Sequence, residues 1–302
     1  MNELVTVLII TYNGQQYIEQ MLDSICFQNY KPLEVIISDD ASTDDTVFVI
    51  DNWLKEKRRQ DIVFKFIKNS RNLGVSGNIS NAVKFIHGKY LFLADQDDLW
   101  RKDKISMQVE YLERNNDCEL CICDRSAINK ENKIICKSLM RYDNVKFHKR
   151  DYKDVLNNGS EYPANSICIR TRHINNIFPI PYEIVEHDTF ITIMAAHYGK
   201  VGYVRKPLTL YRIHDKNLSG NYLIETCKNF FIMYKCIVKI HKRKNKRELI
   251  DPIILKKELK RRFNENNIKF SRKLYPGKVR YVYIASIKYI LRNIRSWKKF
   301  VK

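Results

Sequence analysis

Across its first hundred residues the chain repeatedly follows a short, almost unbroken apolar run with a segment of helical periodicity, and that alternation confines it to few folds. The runs cover residues 4–10, 34–38, 62–67 and 90–94. Helices are expected over residues 15–28, 47–57 and 78–87, with a loop over 69–77. Strands that lack polar alternation are buried on both faces, so helices must pack above and below them. Right-handed crossovers then give a mainly parallel sheet flanked by helices, an α/β architecture that collects ligands at the carboxyl ends of its strands.

Past residue 100 the pattern loosens. A helix is expected to begin near Leu99 or Lys102, strands over 118–123, 166–170, 201–205 and 208–213, and a helix over 188–198. These elements are assigned to the second half of one domain, residues 1–220. From Asn221 onward there are 24 Lys/Arg against 5 Asp/Glu, whereas residues 1–220 carry 30 against 29. Residues 221–302 are therefore set apart as a basic, amphipathic helical extension. Eight cysteines with no leader-like segment ahead of them point to reduced thiols in the cytoplasm. Cys118, Cys121 and Cys123 form a CxxCxC cluster without a second pair, in an apolar stretch better suited to a core strand than to zinc. No run approaches the roughly 18 apolar residues of a membrane span.

Three of the apolar runs end in polar clusters: Thr11-Tyr12-Asn13, Asp39-Asp40-Ala41-Ser42, and Asp95-Gln96-Asp97-Asp98. Three carboxylates within four residues repel one another, so a cation is their natural neutraliser, and hard oxygen ligands suit Mg²⁺ or Mn²⁺. A plainer alternative makes Asp97 and Asp98 helix caps. Asp40 can accept the imide hydrogen of uracil or thymine, and Tyr12 offers a face for base stacking; each also serves as ordinary turn chemistry. Asp188 stands before a helix, where a carboxylate can act as a general base or as an N-cap.

Six segments in this order resemble family 2 glycosyltransferases of the GT-A fold, and more narrowly their bacterial rhamnosyltransferase-like branch. They are Val7 to Asn13; Glu34 to Asp44; Asn72-Leu73-Gly74; Leu93 to Trp100 with its Asp95-Gln96-Asp97-Asp98; His187-Asp188; and Tyr211-Arg212-Ile213-His214 with Asn217. The resemblance implies that Thr11, Tyr12 and Asp40 hold the nucleobase and that Asp95 faces the ribose or metal. It likewise makes Asp97 the principal metal ligand, Asp188 the catalytic base, and His214 a residue reaching the metal or diphosphate. His187-Asp188 replaces the usual Glu-Asp, and Gly77-Asn78-Ile79 replaces the family's Ala-Arg-Asn. The diphosphate contact of that missing arginine passes, as an expectation, to Arg71.

The implied activity is inverting transfer of a sugar from a UDP- or dTDP-linked donor to a hydroxyl of a glycan or polyprenyl-linked acceptor, in bacterial cell-surface polysaccharide synthesis. Lys and Arg interleaved with Tyr, Trp297 and Phe300 suit the extension to an anionic membrane surface, placing the protein peripherally on the inner face of the cell membrane. Two other classes compete: a non-catalytic nucleotide-sugar binder, and a basic nucleic-acid-binding protein. The second explains the extension but not acid-bearing strand ends, which repel phosphate unless a metal intervenes. A nucleotidyltransferase would carry a glycine-rich, lysine-bearing phosphate loop near the start, absent from this sequence.

Overall fold

The computed structural model describes residues 2–142, 149–152, 154–155, 163–182, 184 and 186–214, all within a compact unit spanning Met1–Asp215. The expected boundary near residue 220, the helical extension 221–302, Asn217, Cys227 and Cys236 lie outside the described residues.

The first half follows the apolar runs closely. Strands β1 (Val5–Thr11), β2 (Leu33–Asp39), β3 (Ile62–Lys68) and β4 (Tyr90–Asp95) are parallel, in the order β3-β2-β1-β4. β1 and β2 are buried almost throughout, as continuous Val/Ile/Leu runs require. Helix α1 (Ile18–Cys26) buries Ile18, Met21, Leu22 and Ile25, spaced for one helical face. Helix α2 (Thr46–Glu56) adds Ile50 and Trp53 to the same core.

Helix α3 (Gly74–Ala82) begins earlier than its apolar spacing suggests and ends before a single 3₁₀ turn, Val83–Phe85. Local polar bonds start it: Gly74 takes φ +71°, its N–H donates to Asn72 Oδ1 at 3.0 Å, and the Leu73 N–H donates to Asp40 Oδ1 at 2.8 Å. No helix starts at Leu99. Residues Leu99–Trp100 form β5, paired antiparallel with a distant strand, and α4 (Lys104–Arg114) follows.

The second half of the sheet is mixed. β6 (Cys118–Ile128) runs longer than expected and pairs with β7 (Ile134–Cys136) and β8 (Ile167–Arg170) antiparallel, while β9 (Lys200–Arg212) lies parallel to β6. β9 unites the two short strands expected over 201–205 and 208–213; the pairing register shifts around Cys123, Asp124 and Arg125, opposite Pro207, instead of breaking. The full order is β3-β2-β1-β4-β8-β6-β9-β5, with β7 beside β6. Short helices α5 (Leu139–Tyr142) and α6 (Ile174–Ile177) precede α7 (His187–Ala196). Cys118, Cys121 and Cys123 are free and buried in the core. Among the described residues no helix is long and apolar enough to cross a membrane.

Candidate active site at the carboxyl ends of the strands

Parallel register sets the site. Thr11 pairs with Asp39, and Ile10 pairs with both Ser38 and Asp95, so the polar ends of β2, β1 and β4 stand side by side. The loops beyond them are laced together: Asp40 N–H donates to Thr11 O at 2.9 Å, Asn13 N–H to Ser42 Oγ at 2.8 Å, and Thr43 N–H to Asn13 Oδ1 at 2.8 Å. Asn13 (φ +52°) and Ala41 (φ +61°) both occupy the left-handed region in these turns. For an alanine that conformation is strained, and such strain persists where the surroundings over-determine the backbone.

Asp40 is buried, and its Oδ1 accepts from Asn69 Nδ2 at 3.0 Å and from Leu73 N–H. Asn69 donates onward to Asn78 Oδ1, and Asn78 is bonded to both the hydroxyl and the carbonyl of Ser38. Thr11 is buried and Tyr12 is 44% exposed, which leaves its ring available for contact. Gln96 ties these two to the acidic turn. Its Oε1 accepts from Thr11 Oγ1 and Tyr12 N–H, and its Nε2 donates to Tyr12 O.

The four acidic-turn residues have distinct surroundings. Asp95 ends β4; burial, then the neighbouring charges of Asp97 and Asp188, push its carboxyl up to about 7, with Arg125 the opposing cation. Asp97 Oδ2 lies 2.8 Å from His214 Nε2. Asp98 turns inward, accepting from Asn165 Nδ2 at 2.5 Å and from Arg212 N–H at 3.0 Å, and its burial raises its carboxyl well above the usual range. Asp98 therefore anchors the turn to β9.

Asp188 occupies the first turn of α7, after an N-terminal residue, Glu186, that makes no side-chain cap. It does not cap the helix; among the described residues its Oδ1 accepts from the next residue's N–H, Thr189, at 2.7 Å. Its charge acts on Asp95, so the first turn of α7 lies within electrostatic reach of the end of β4. Arg71 is exposed and outside these contacts, while Arg125, lying over the Tyr211 ring at 5.1 Å, acts on both Asp95 and Asp98.

Among the described residues no group of three or more His, Cys, Asp or Glu side chains forms a metal cage by itself. The donor set nonetheless fits a hard divalent ion: a carboxylate beside an imidazole, and a second carboxylate whose ionisation is opposed by its neighbours. An open site of this kind suits Mg²⁺ or Mn²⁺, which complete their coordination with water and substrate phosphates. Sequence alone gives Gln96, Arg125 and Arg212 no separate role, since tertiary contacts reveal theirs.

Four parallel strands followed by a mixed half, with acidic residues at the strand ends, define a GT-A glycosyltransferase fold. S. aureus TarS, solved with UDP-GlcNAc, superposes with TM-score 0.64 at 16% identity, covering 93% of this chain and 79% of TarS. The mannosyltransferase PcManGT of Pyrobaculum calidifontis, solved with GDP-Man and Mn²⁺, gives 0.63 at 16% identity over 97% and 76%. Residues 6–177 match the model of Glycosyl transferase family 2, and the chain belongs to that family. The UDP-Glc:alpha-D-GlcNAc-diphosphoundecaprenol beta-1,3-glucosyltransferase WfaP of Escherichia coli is 39% identical over 111 residues, 37% of this chain and 42% of WfaP. A Mycobacterium tuberculosis relative, 27% identical over 211 residues, is matched over 58% of its length, so the chain spans about half of these curated relatives.

Proposed function

We propose that the chain is an inverting, divalent-ion-dependent hexosyltransferase that moves a sugar from a UDP- or dTDP-linked donor to a hydroxyl of a glycan or polyprenyl-linked acceptor, in bacterial cell-surface polysaccharide synthesis. One observation carries the proposal: the charges of Asp97 and of Asp188, the latter on a helix 90 residues beyond the acidic turn, both act on Asp95.

The chain's own groups then have separable tasks. Tyr12 stacks on the base, and Asp40, its Oδ1 engaged by Asn69 and Leu73, presents Oδ2 to an imide N–H. Asp95 faces the ribose or the metal. Asp188 takes the proton of the acceptor hydroxyl as that oxygen bonds to the anomeric carbon and the bond to the diphosphate breaks on the opposite face. Asp97 and His214 would hold Mn²⁺ or Mg²⁺, whose charge stabilises the departing diphosphate. Arg125 brings a fixed positive charge to the same centre. The pyrimidine donor and lipid-linked acceptor are supported by the donor and acceptor named for WfaP, and metal use by the Mn²⁺ bound to PcManGT.

The basic, aromatic-rich residues 221–302 suit binding to anionic lipid on the inner face of the cell membrane, where polyprenyl-linked acceptors reside. Liposome binding that requires anionic lipid and weakens with salt supports this; equal binding after removal of the extension refutes it. The activity is tested by a screen of nucleotide sugars with Mn²⁺ and Mg²⁺, reading release of nucleoside diphosphate. Nucleotide-dependent thermal stabilisation with no release under any donor and acceptor makes the chain a binder, not an enzyme. Salt-sensitive oligonucleotide binding with no nucleotide response makes it a nucleic-acid protein.

A further inference from the structure

We infer that Arg212 is a positioning residue for the Asp97–His214 pair, and that the turn at residues 129–132 and helix α1 act on that pair through it. The inference rests on reading the pair as the divalent-ion site.

Arg212 is completely buried at the end of β9, two residues before His214. Its backbone N–H donates to Asp98 Oδ1 at 3.0 Å and its Nε donates to the Asp97 carbonyl at 2.8 Å, so one residue grips two consecutive members of the acidic turn. Outward, Nη1 donates to the carbonyls of Asn129 and Lys130 at 3.3 Å each and to Asn132 Oδ1, and Nη2 donates to Gln20 Oε1 at 3.2 Å. The guanidinium carbon sits 4.4 Å from the centre of the Tyr17 ring, and that ring lies 5.3 Å from the ring of His214.

Burying a guanidinium is costly, and the cost is offset only when its N–H groups find acceptors. Burial duly pulls the Arg212 side chain below the usual arginine range. Four of its acceptors belong to segments with no place in the proposed chemistry. Asn132 is held at φ +63° in its turn, and its amide also donates to Gln20 Oε1 at 3.3 Å. The α1–turn–Arg212 chain therefore ends on the peptide of one metal-binding residue and on the strand end that carries the other. A lysine has a single nitrogen and cannot span these segments.

The test is Mn²⁺ affinity of the full chain, with Mn²⁺ alone as probe, alongside metal-free thermal stability. Gln20→Met and Asn132→Gly remove the outer acceptors at exposed positions; glycine suits the left-handed backbone at 132. Each is expected to weaken Mn²⁺ binding by about 10-fold or more, as loss of groups that orient metal ligands usually does. Arg212→Lys is expected to weaken it further. Mn²⁺ affinity equal to wild type in Gln20→Met and Asn132→Gly, whatever their melting temperatures, would overturn the inference and leave Arg212 a buried brace. Asp97→Ala separates the two levels: if it retains Mn²⁺, or wild type binds none, the ion-site reading itself fails. If Asp97→Ala loses Mn²⁺ while the outer variants keep it, only the positioning role fails.

Discussion

Gln96 and Tyr12 exchange two hydrogen bonds although 84 residues separate them: Tyr12 N–H donates to Gln96 Oε1 at 2.9 Å, and Gln96 Nε2 donates to Tyr12 O at 3.0 Å. Gln96 thus pins the loop that presents the Tyr12 ring to the turn that presents Asp95 and Asp97. Gln96→Ala removes these bonds and the one from Thr11, each worth about 1 kcal/mol. Nucleotide affinity is expected to fall about 10-fold, with a smaller loss of stability. Gly14→Ala should give the same phenotype, because a Cβ there would lie 2.1 Å from Gln96 Oε1 and displace it. Calorimetric titration with UDP checks both; unchanged affinity in Gln96→Ala would show that the loop holds its shape without the clamp.

Asp97 and Asp98 are adjacent but should fail differently. Removing the Asp98 carboxylate leaves the buried Arg212 N–H and Asn165 Nδ2 without their acceptor. An unsatisfied buried donor costs about 1–3 kcal/mol, so Asp98→Ala is expected to lose stability on that order or more. Among the described residues the Asp97 carboxylate meets His214 across a part-buried gap, and its bond from Arg212 is to the backbone carbonyl, which alanine keeps, so Asp97→Ala should melt near wild type while losing divalent-ion response. Thermal melts with and without Mn²⁺ decide; equal destabilisation of the two variants would contradict the division of labour.

The first half of the fold was legible because its strands are continuous apolar runs, and a sheet flanked by helices is their only economical burial. β5 was not legible, since two residues, Leu99 and Trp100, make a strand only through pairing with Leu210 and Thr209. The start of α3 was hidden in polar bonds from Asp40 and Asn72, which periodicity does not register. Within the site, the acidic turn advertised itself by composition, yet its inward and outward members look alike in sequence: Asp98 differs from Asp97 only by what Asn165 and Arg212 bring to it. Gln96 resembled a spacer between carboxylates because its partners lie on another strand.

Asp95 gives the metal-free protein a pH signature. Its carboxyl titrates near the ordinary 3.8 when unfolded and about 7 when folded, so between those values the folded state holds a proton that the unfolded state has released. Stability from this group is fully present below 3.8 and is lost as pH rises to 7. Asp95→Asn stays neutral throughout. In EDTA it is expected to melt like wild type near pH 4 and above it at pH 8. A melting difference that does not change with pH would refute the shift.

Asp188 is the sharpest test of the proposed chemistry, because it can be removed without touching the donor contacts. It sits in the first turn of α7, among the described residues its Oδ1 accepts from Thr189 N–H, and it does not cap the helix, so Asp188→Asn should fold and bind nucleotide like wild type. Loss of a general base costs about 10²–10⁴-fold in turnover, and that loss should appear in kcat and not in nucleotide affinity. Removal of one negative charge also relieves Asp95, which should titrate lower in the variant. Near-normal turnover with an intact fold would show that another group takes the acceptor proton. Weakened nucleotide binding would instead move Asp188 from the reacting hydroxyl to the donor.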